Sequence, residues 1–255
     1  MSDRFSRNEL YWGEEGQRVL SSKSVAVFGL GGVGGYCVEM LARAGVGKLI
    51  LVDFDTVSTS NINRQIIALD STVGKSKVQL FEERIKDINP EVELTLVEDF
   101  STDKFDILSG VDFVADAIDT MRSKISLLEY CYKNNIKVIS SMGAGNRCDP
   151  EKLYVTDISN IHGKKDVFCS NVLYQLKKRG IESGIAVVTS EETPQVRERI
   201  KEKETIVLKS GEVVEFNKII PSSTPFVASV SGIFAASYIV REFLKITVWN
   251  DLSLL

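Results

Sequence analysis

The sequence predicts an α/β protein of the Rossmann-like kind, with a mostly parallel central sheet, helices on both faces, and antiparallel strands extending its C-terminal part. Three observations carry that expectation. A β-branched run, Ser24 to Phe28, stops at Gly29 and gives way to a helical pattern from Tyr36. Leu49 to Val52 is apolar at every position, as suits a strand covered on both faces of a parallel sheet. The alternation of such runs with amphipathic stretches continues to about residue 145.

The individual elements follow from the same patterns. Val38, Leu41 and Ala42 share one face of the first helix, which ends near Ala44. Lys75 to Ile88 is amphipathic through Val78, Phe81, Ile85 and Ile88, and it stops before Pro90 because a residue preceding proline is pushed out of the helical region. Val92 to Val97 alternates like a strand with one wet face, and Val111 to Ala117 and Lys137 to Ser141 are further strands joined by a helix from about Arg122 to Lys133. Gly184 to Thr189 reads as a strand, and Thr205 to Lys218 reads as a hairpin turning at Ser210-Gly211. A final helix from about Phe226 to Leu244 covers the sheet. Its apolar part, Phe226 to Val240, includes Ser229, Ser231, Gly232 and Ser237 and falls short of the roughly 20 apolar residues of a bilayer span.

Composition narrows the class. With 255 residues, 44% apolar and 26% charged, the chain is neither disordered, collagen-like nor coiled-coil. The length suits one domain over residues 1–255, with a nucleotide-binding part over 1–150 and a part over 151–255 that carries a substrate-facing loop and helix, the antiparallel strands and the covering helix. Net charge is -4, from 31 Lys+Arg against 35 Asp+Glu, so no global positive field recruits nucleic acid. One local basic patch lies between His162 and Gly180, where Lys164, Lys165, Lys177, Lys178 and Arg179 face a single acid, Asp166. Cys37, Cys131, Cys148 and Cys169 form no C-x-x-C pair, so no zinc site and no secreted disulfide framework are expected. Met1 to Arg7 has no apolar core of a signal peptide, and the expected compartment is the reducing cytoplasm, with no membrane partner.

The chemistry starts at Gly29-Leu-Gly31-Gly32-Val-Gly34, a G-x-G-x-x-G turn between a strand and a helix. Bare backbone there can approach a phosphate, and the helix N-terminus favours negative charge. Asp53 ends the second strand about 20 residues further on, where a carboxylate accepts hydrogen bonds from ribose hydroxyls. These features serve NAD and ATP equally. Val73-Gly-Lys-Ser76 is not a Walker site, because Leu69 stands where that motif needs glycine. The stretch from Asp53 to Gln65, followed by Lys77, favours a triphosphate, since Arg64 and Lys77 supply the cationic donors that its higher charge requires. Asp119, just past the carboxyl end of a central strand, is placed to hold Mg²⁺.

These residues resemble those of the E1-like (ThiF-type) activating enzymes. The likeness covers the glycine turn, the block from Ala44 to Val57, Ser60-Asn-Ile-Asn-Arg-Gln65, Val73 to Lys77, Ile88-Asn-Pro90 and Asp116-Ala-Ile-Asp119. The resemblance implies an ATP site in which Gly29, Gly31, Gly32 and Gly34 approach the phosphates, Asp53 takes the ribose, and Asp55, Ser60, Asn61, Arg64 and Gln65 contribute around it. It further implies that Lys77 stabilises charge on the α-phosphoryl group, that Asp119 holds Mg²⁺ with the ATP, and that Arg7, within Arg4-Phe-Ser-Arg7, reaches the partner subunit's nucleotide in a homodimer.

Within the superfamily, Asp116 to Lys124, Ser140 to Pro150, Lys177 to Ile181 and Gly13-Glu-Glu-Gly16 are similar to the branch that dehydrates N6-threonylcarbamoyladenosine in tRNA. That likeness implies adenylation of the threonylcarbamoyl carboxylate, ring closure with loss of AMP, and tRNA contacts from the basic patch. It leaves a monovalent cation and a sulfur-transfer partner protein open. The chain departs from the branch at Asp166 to Gln175, where the usual proline and arginines are absent. Two other readings stand beside it: activation of the Gly-Gly terminus of a ubiquitin-like sulfur carrier, for which Cys169 would be the thioester or persulfide candidate, and a more distant one, an NAD-binding oxidoreductase. His162 is the only histidine, so no Cys/His nucleophile pair is evident.

Overall fold

A computed structural model describes residues 4–98, 105–161, 166–196, 201–207 and 213–245. The chain opens with helix α1 (Ser6–Ser21), followed by β1 (Ser24–Phe28), α2 (Gly34–Ala44), β2 (Lys48–Val52), α3 (Lys77–Ile88), β3 (Glu93–Val97), β4 (Phe113–Asp116), α4 (Met121–Lys133) and β5 (Val138–Ser141). Then come β6 (Leu153–Asp157), α5 (Val167–Lys177), β7 (Ala186–Ser190), β8 (Lys201–Val207), β9 (Val213–Ile219) and α6 (Pro225–Leu244). Among the described residues, seven strands form one sheet in the order β3-β2-β1-β4-β5-β7-β6, parallel throughout except for β6 at the edge. The order reverses between β1 and β4, and ligands bind at such a switch point, beyond the carboxyl ends of the strands.

Side-chain alternation divides the core in two. Val25 and Val27 of β1 pack toward α2, α3 and α6, while Ala26 and Phe28 pack toward α4 and α5. All five residues of β1 are buried, the signature of a strand with helices on both faces. Helix α6 has 20 residues and a mean hydropathy of 1.4, so by length and composition it could cross a membrane. Its length thus reaches the span that its interrupted apolar run did not. In this fold its inner face is core: Val227, Ala228, Ala235, Ala236 and Ile239 are buried, and a Cβ at Gly232 would lie 2.1 Å from the Val33 carbonyl oxygen. The last helix therefore presses directly on the backbone of the glycine turn.

Two elements lie outside the pattern read from the sequence, and the expected hairpin is placed differently. Helix α1 is broken by Gly13 (φ 75°, ψ 168°), and its Leu10 and Tyr11 are exposed, so no continuous buried stripe announces it. Edge strand β6 runs antiparallel to β7 with four half-buried residues. Strands β8 and β9 pair in register Val207↔Val213, as the expected hairpin, but form their own two-stranded sheet; its turn at Ser210-Gly211 lies outside the described residues.

Candidate nucleotide site

A cavity of about 360 Å³ opens at the switch point, lined among others by Gly31, Gly32, Asp53, Arg64, Lys77 and Asp119. The glycine turn forms one wall, and two of its glycines are sterically required. Gly29 has φ +83°, and a Cβ there would meet the Ala117 carbonyl oxygen at 2.8 Å; a Cβ on Gly34 would lie 1.8 Å from the Gly29 carbonyl oxygen. The turn is also tied to the second strand, because the Leu30 N–H donates to Asp53 Oδ2 at 2.6 Å.

Asp53 is buried, and its other oxygen accepts from the Asp55 N–H at 2.8 Å. Burial pushes its carboxyl above the ordinary value, against the opposing pull of Lys77 and of the Asp55 and Leu30 N–H groups. Lys77, at the first turn of α3, is only 4% exposed; its ammonium donates to Asp55 Oδ2 at 2.7 Å and stands 3.7 Å from Asp53 Oδ1. Asp55 thus holds Lys77 at the cavity wall.

The turn from Ser58 to Gln65 builds the opposite side. Asn61 Oδ1 accepts from the Ser58 N–H at 3.1 Å, while Ser60 contributes its carbonyl oxygen to Arg64 Nη1 at 2.8 Å and is not itself among the lining residues. Arg64 also donates to Asn63 Oδ1 at 2.9 Å. Burial lowers its guanidinium from the ordinary arginine value, opposed by Asp119, and it remains a cation at neutral pH. Gln65 is 6% exposed and its Oε1 is buried without a hydrogen-bond partner among the described residues. An unsatisfied acceptor costs about 1–3 kcal/mol. A donor from a bound molecule would satisfy it.

Further lining residues were not singled out from the sequence: Phe54, Thr120, Ser123, Ala144, Ser223 and Ala228. Ser223 and Ala144 reach the site through long-range ties. Asn63 Nδ2 donates to the Ser223 carbonyl at 2.8 Å, Asn146 Oδ1 accepts from the Ser222 N–H at 2.9 Å, and buried Arg147 donates to the Gly143 carbonyl at 2.9 Å and pairs with Asp166. The signal for Ala144 was the polar Gly143 to Asp149 loop, which has no periodicity of its own.

Other candidates lie elsewhere. Arg7 is exposed on the first turn of α1 and is not among the lining residues. At the end of α5, Lys177 pairs with Glu182 at 2.9 Å, Lys178 stands over the Tyr174 ring at 4.4 Å, and Arg179 pairs with Glu129 at 2.9 Å. Lys164, Lys165 and His162 lie outside the described residues. Cys169 is buried, and burial pushes its thiol up to about 11, against the low value that a nucleophilic cysteine needs. Among the described residues no group of three or more His, Cys, Asp and Glu could hold a metal ion.

The site therefore defines a nucleotide-binding protein of the doubly wound α/β class in which cationic side chains line the cavity beside the glycine turn. The chain belongs to the ThiF family, whose model matches residues 5–248. It is 43% identical over 255 residues, 96% of each chain, to a protein of Bacillus subtilis named tRNA threonylcarbamoyladenosine dehydratase. It is similar in structure to the Escherichia coli tRNA N6-threonylcarbamoyladenosine dehydratase in complex with ATP, with a TM-score of 0.80, 30% identity, and coverage of 95% of this chain and 94% of that one. To the molybdopterin-synthase adenylyltransferase of Salmonella typhimurium it is 39% identical over 128 residues, 49% of this chain and 51% of that protein.

Proposed function

We infer that this chain is an ATP-dependent tRNA threonylcarbamoyladenosine dehydratase. The observation that carries the reading is the arrangement of Arg64, Lys77 and Asp119 around one cavity walled by the glycine turn. The relatives matched over nearly the whole chain carry the name that supplies the substrate, whereas the molybdopterin-synthase adenylyltransferase matches about half of it. Residues 1–150 act as the ATP-binding part of a single adenylating domain and residues 151–255 as its substrate-facing part.

In this reading a carboxylate oxygen of the threonylcarbamoyl group attacks the α-phosphorus of ATP and pyrophosphate leaves. An internal nitrogen or oxygen then displaces AMP and closes the ring, so no enzyme nucleophile is needed. The protein positions the reactants and neutralises charge. Asp53 accepts from the ribose, Gln65 Oε1 offers its open acceptor, and Lys77 and Arg64 stabilise charge that grows on the phosphoryl oxygens. The residues fit Mg²⁺ carried by ATP: exposed Asp119 at the cavity edge would hold it, and the ion would help neutralise the triphosphate.

The chain acts as a cytoplasmic homodimer. Exposed Leu10 and Tyr11 on α1 lie near an apolar groove lined by Tyr11, Trp12, Met40, Ile233 and Val240, a surface suited to a second copy. Such a copy would bring Arg7 to its partner's nucleotide. Lys177, Lys178 and Arg179 then meet tRNA phosphates. Incubation of the purified chain with ATP, Mg²⁺ and threonylcarbamoylated tRNA should yield the cyclised nucleoside and AMP by mass spectrometry; unchanged nucleoside would overturn the reading.

A further inference from the structure

Beneath the site lies a group of polar side chains that the proposed chemistry does not use. Lys124 in the first turn of α4 is completely buried, as is Ser140 on β5, and Asp116 at the end of β4 is 2% exposed. Lys124 Nζ donates to Asp116 Oδ2 at 2.5 Å and to Ser140 Oγ at 3.0 Å, and Ser140 Oγ donates to the same carboxylate oxygen at 2.6 Å. The remaining oxygen, Asp116 Oδ1, accepts from the Ile118 N–H at 3.0 Å.

A buried ion pair is a poor source of stability, because removing two charges from water offsets most of their attraction, and an apolar pair of similar volume often serves as well. Lys124 is also too deeply enclosed to touch a ligand. What the group does specify is geometry. Asp116 closes β4 and Lys124 lies in the first turn of α4, so their pairing ties together the two elements that flank the turn over residues 117–120. Within that turn the Ala117 N–H donates to the Phe28 carbonyl at 2.9 Å and the Ile118 N–H reports to Asp116, which leaves little freedom for the residue that follows. That residue is Asp119, and Ala117, Ile118, Asp119, Thr120 and Ser123 all line the cavity.

We propose that Lys124 is a positioning residue: by locking Asp116 against Ser140 it fixes the 117–120 turn and holds Asp119 at the angle from which it meets the metal end of Mg-ATP. The proposal rests on the nucleotide reading given above. Lys124 acts through Asp119, so its effect must disappear when Asp119 is already disabled.

The test is calorimetric titration of ATP, with and without Mg²⁺, into the full-length chain and into Lys124→Met, Ser140→Ala, Asp119→Asn and Lys124→Met/Asp119→Asn variants. No turnover enters this readout. The wild type should bind ATP more tightly with Mg²⁺; Asp119→Asn should lose most of that gain. Lys124→Met should lose about as much of it while changing metal-free ATP binding by less than about twofold, and the double variant should be no worse than Asp119→Asn. Ser140→Ala, a milder change that stands in if Lys124→Met does not fold, should move the Mg²⁺ gain in the same direction by about two- to threefold. Additive losses in the double variant, or equal weakening with and without Mg²⁺, would overturn the positioning role alone. A wild type that binds ATP no better with Mg²⁺ would overturn the Mg-ATP reading of Asp119, and the proposal with it.

Discussion

The two sides of the cavity are built by different means. On the nucleotide side, the glycine turn, Asp53 and Lys77 are held by contacts between neighbouring β-α units: Leu30 to Asp53 at 2.6 Å and Lys77 to Asp55 at 2.7 Å. On the opposite rim, hydrogen bonds that span 76 to 160 residues of sequence join Asn63 to Ser223, Ser222 to Asn146 and Thr224 to Arg147. The first side is held by the sheet topology, the second by a polar network between distant loops. A cradle fixed by the sheet leaves the facing rim to loops, which can change without disturbing the strands.

The largest effect should come from the fixed side. Lys77→Ala should lower adenylation by about 10²–10³-fold, the usual loss on removing one donor aimed at developing charge, measured as release of pyrophosphate. Arg64→Ala, on the facing Ser58–Gln65 turn, should fall in the same range. If either retains near-normal turnover, the cationic wall is not the catalytic one.

The next test bridges two copies. Arg7→Ala and Lys77→Ala chains, each inactive, should regain about a quarter of wild-type activity on random subunit exchange, since half the dimers are then hybrids with one intact site. Absence of rescue places Arg7 outside the partner's site.

The basic end of α5, away from the cavity, should respond more gently. Replacing Lys177, Lys178 and Arg179 together by Gln should weaken tRNA binding about tenfold at moderate salt and reduce the slope of log K against log salt by about 2 to 3, with KM for ATP unchanged. An unchanged slope means that those cations, two of which are already paired with Glu182 and Glu129, do not meet phosphate.

Nucleotide-side rigidity also has an acid signature. Burial alone would raise the Glu39 carboxyl, but hydrogen bonds from Arg84 and Arg43 outweigh it and hold the group below its ordinary value of 4.5. A depressed carboxyl stabilises the fold above its unfolded value and loses that contribution as pH falls through the folded one. Arg84→Met should therefore destabilise by about 1–3 kcal/mol near pH 7, and the gap from wild type should close in more acid solution, as read by chemical denaturation. A gap independent of pH would assign the loss to packing. The smallest effect is expected at Cys169: the Ala variant should keep activity within about twofold, because a buried, protonated thiol does no chemistry. A large loss there would revive the carrier-activating reading.

What the sequence made legible divides along the same line. Strands β1, β2, β4 and β5 and helices α2, α3 and α4 follow from apolar runs and helical periodicity, Asp53 from its spacing to the glycine turn, Arg64 and Lys77 from the cationic stretch and the family resemblance, and Asp119 from its place past a strand end. Local pattern sufficed for Asp53, Lys77 and Asp119 because each sits at or just past a strand end or at a helix start, and Arg64 was carried by the motif of its turn. Ala144, Ser223 and Ala228 escaped because they enter the cavity through loop contacts or the packing of α6, neither of which leaves a local period. Lys124 escaped for another reason: a lysine in the first turn of an amphipathic helix reads as solvated, and only the enclosing strands show that it is not.

The close seating of Gly232 on the Val33 carbonyl carries a consequence for biosynthesis. The phosphate turn is made among the first forty residues, yet the helix that braces it is the last element described. A nascent chain can assemble its early strands on the ribosome, but its nucleotide cradle acquires its final brace only after the C-terminal helix has emerged, so chains cut short before residue 225 should leave translation empty-handed.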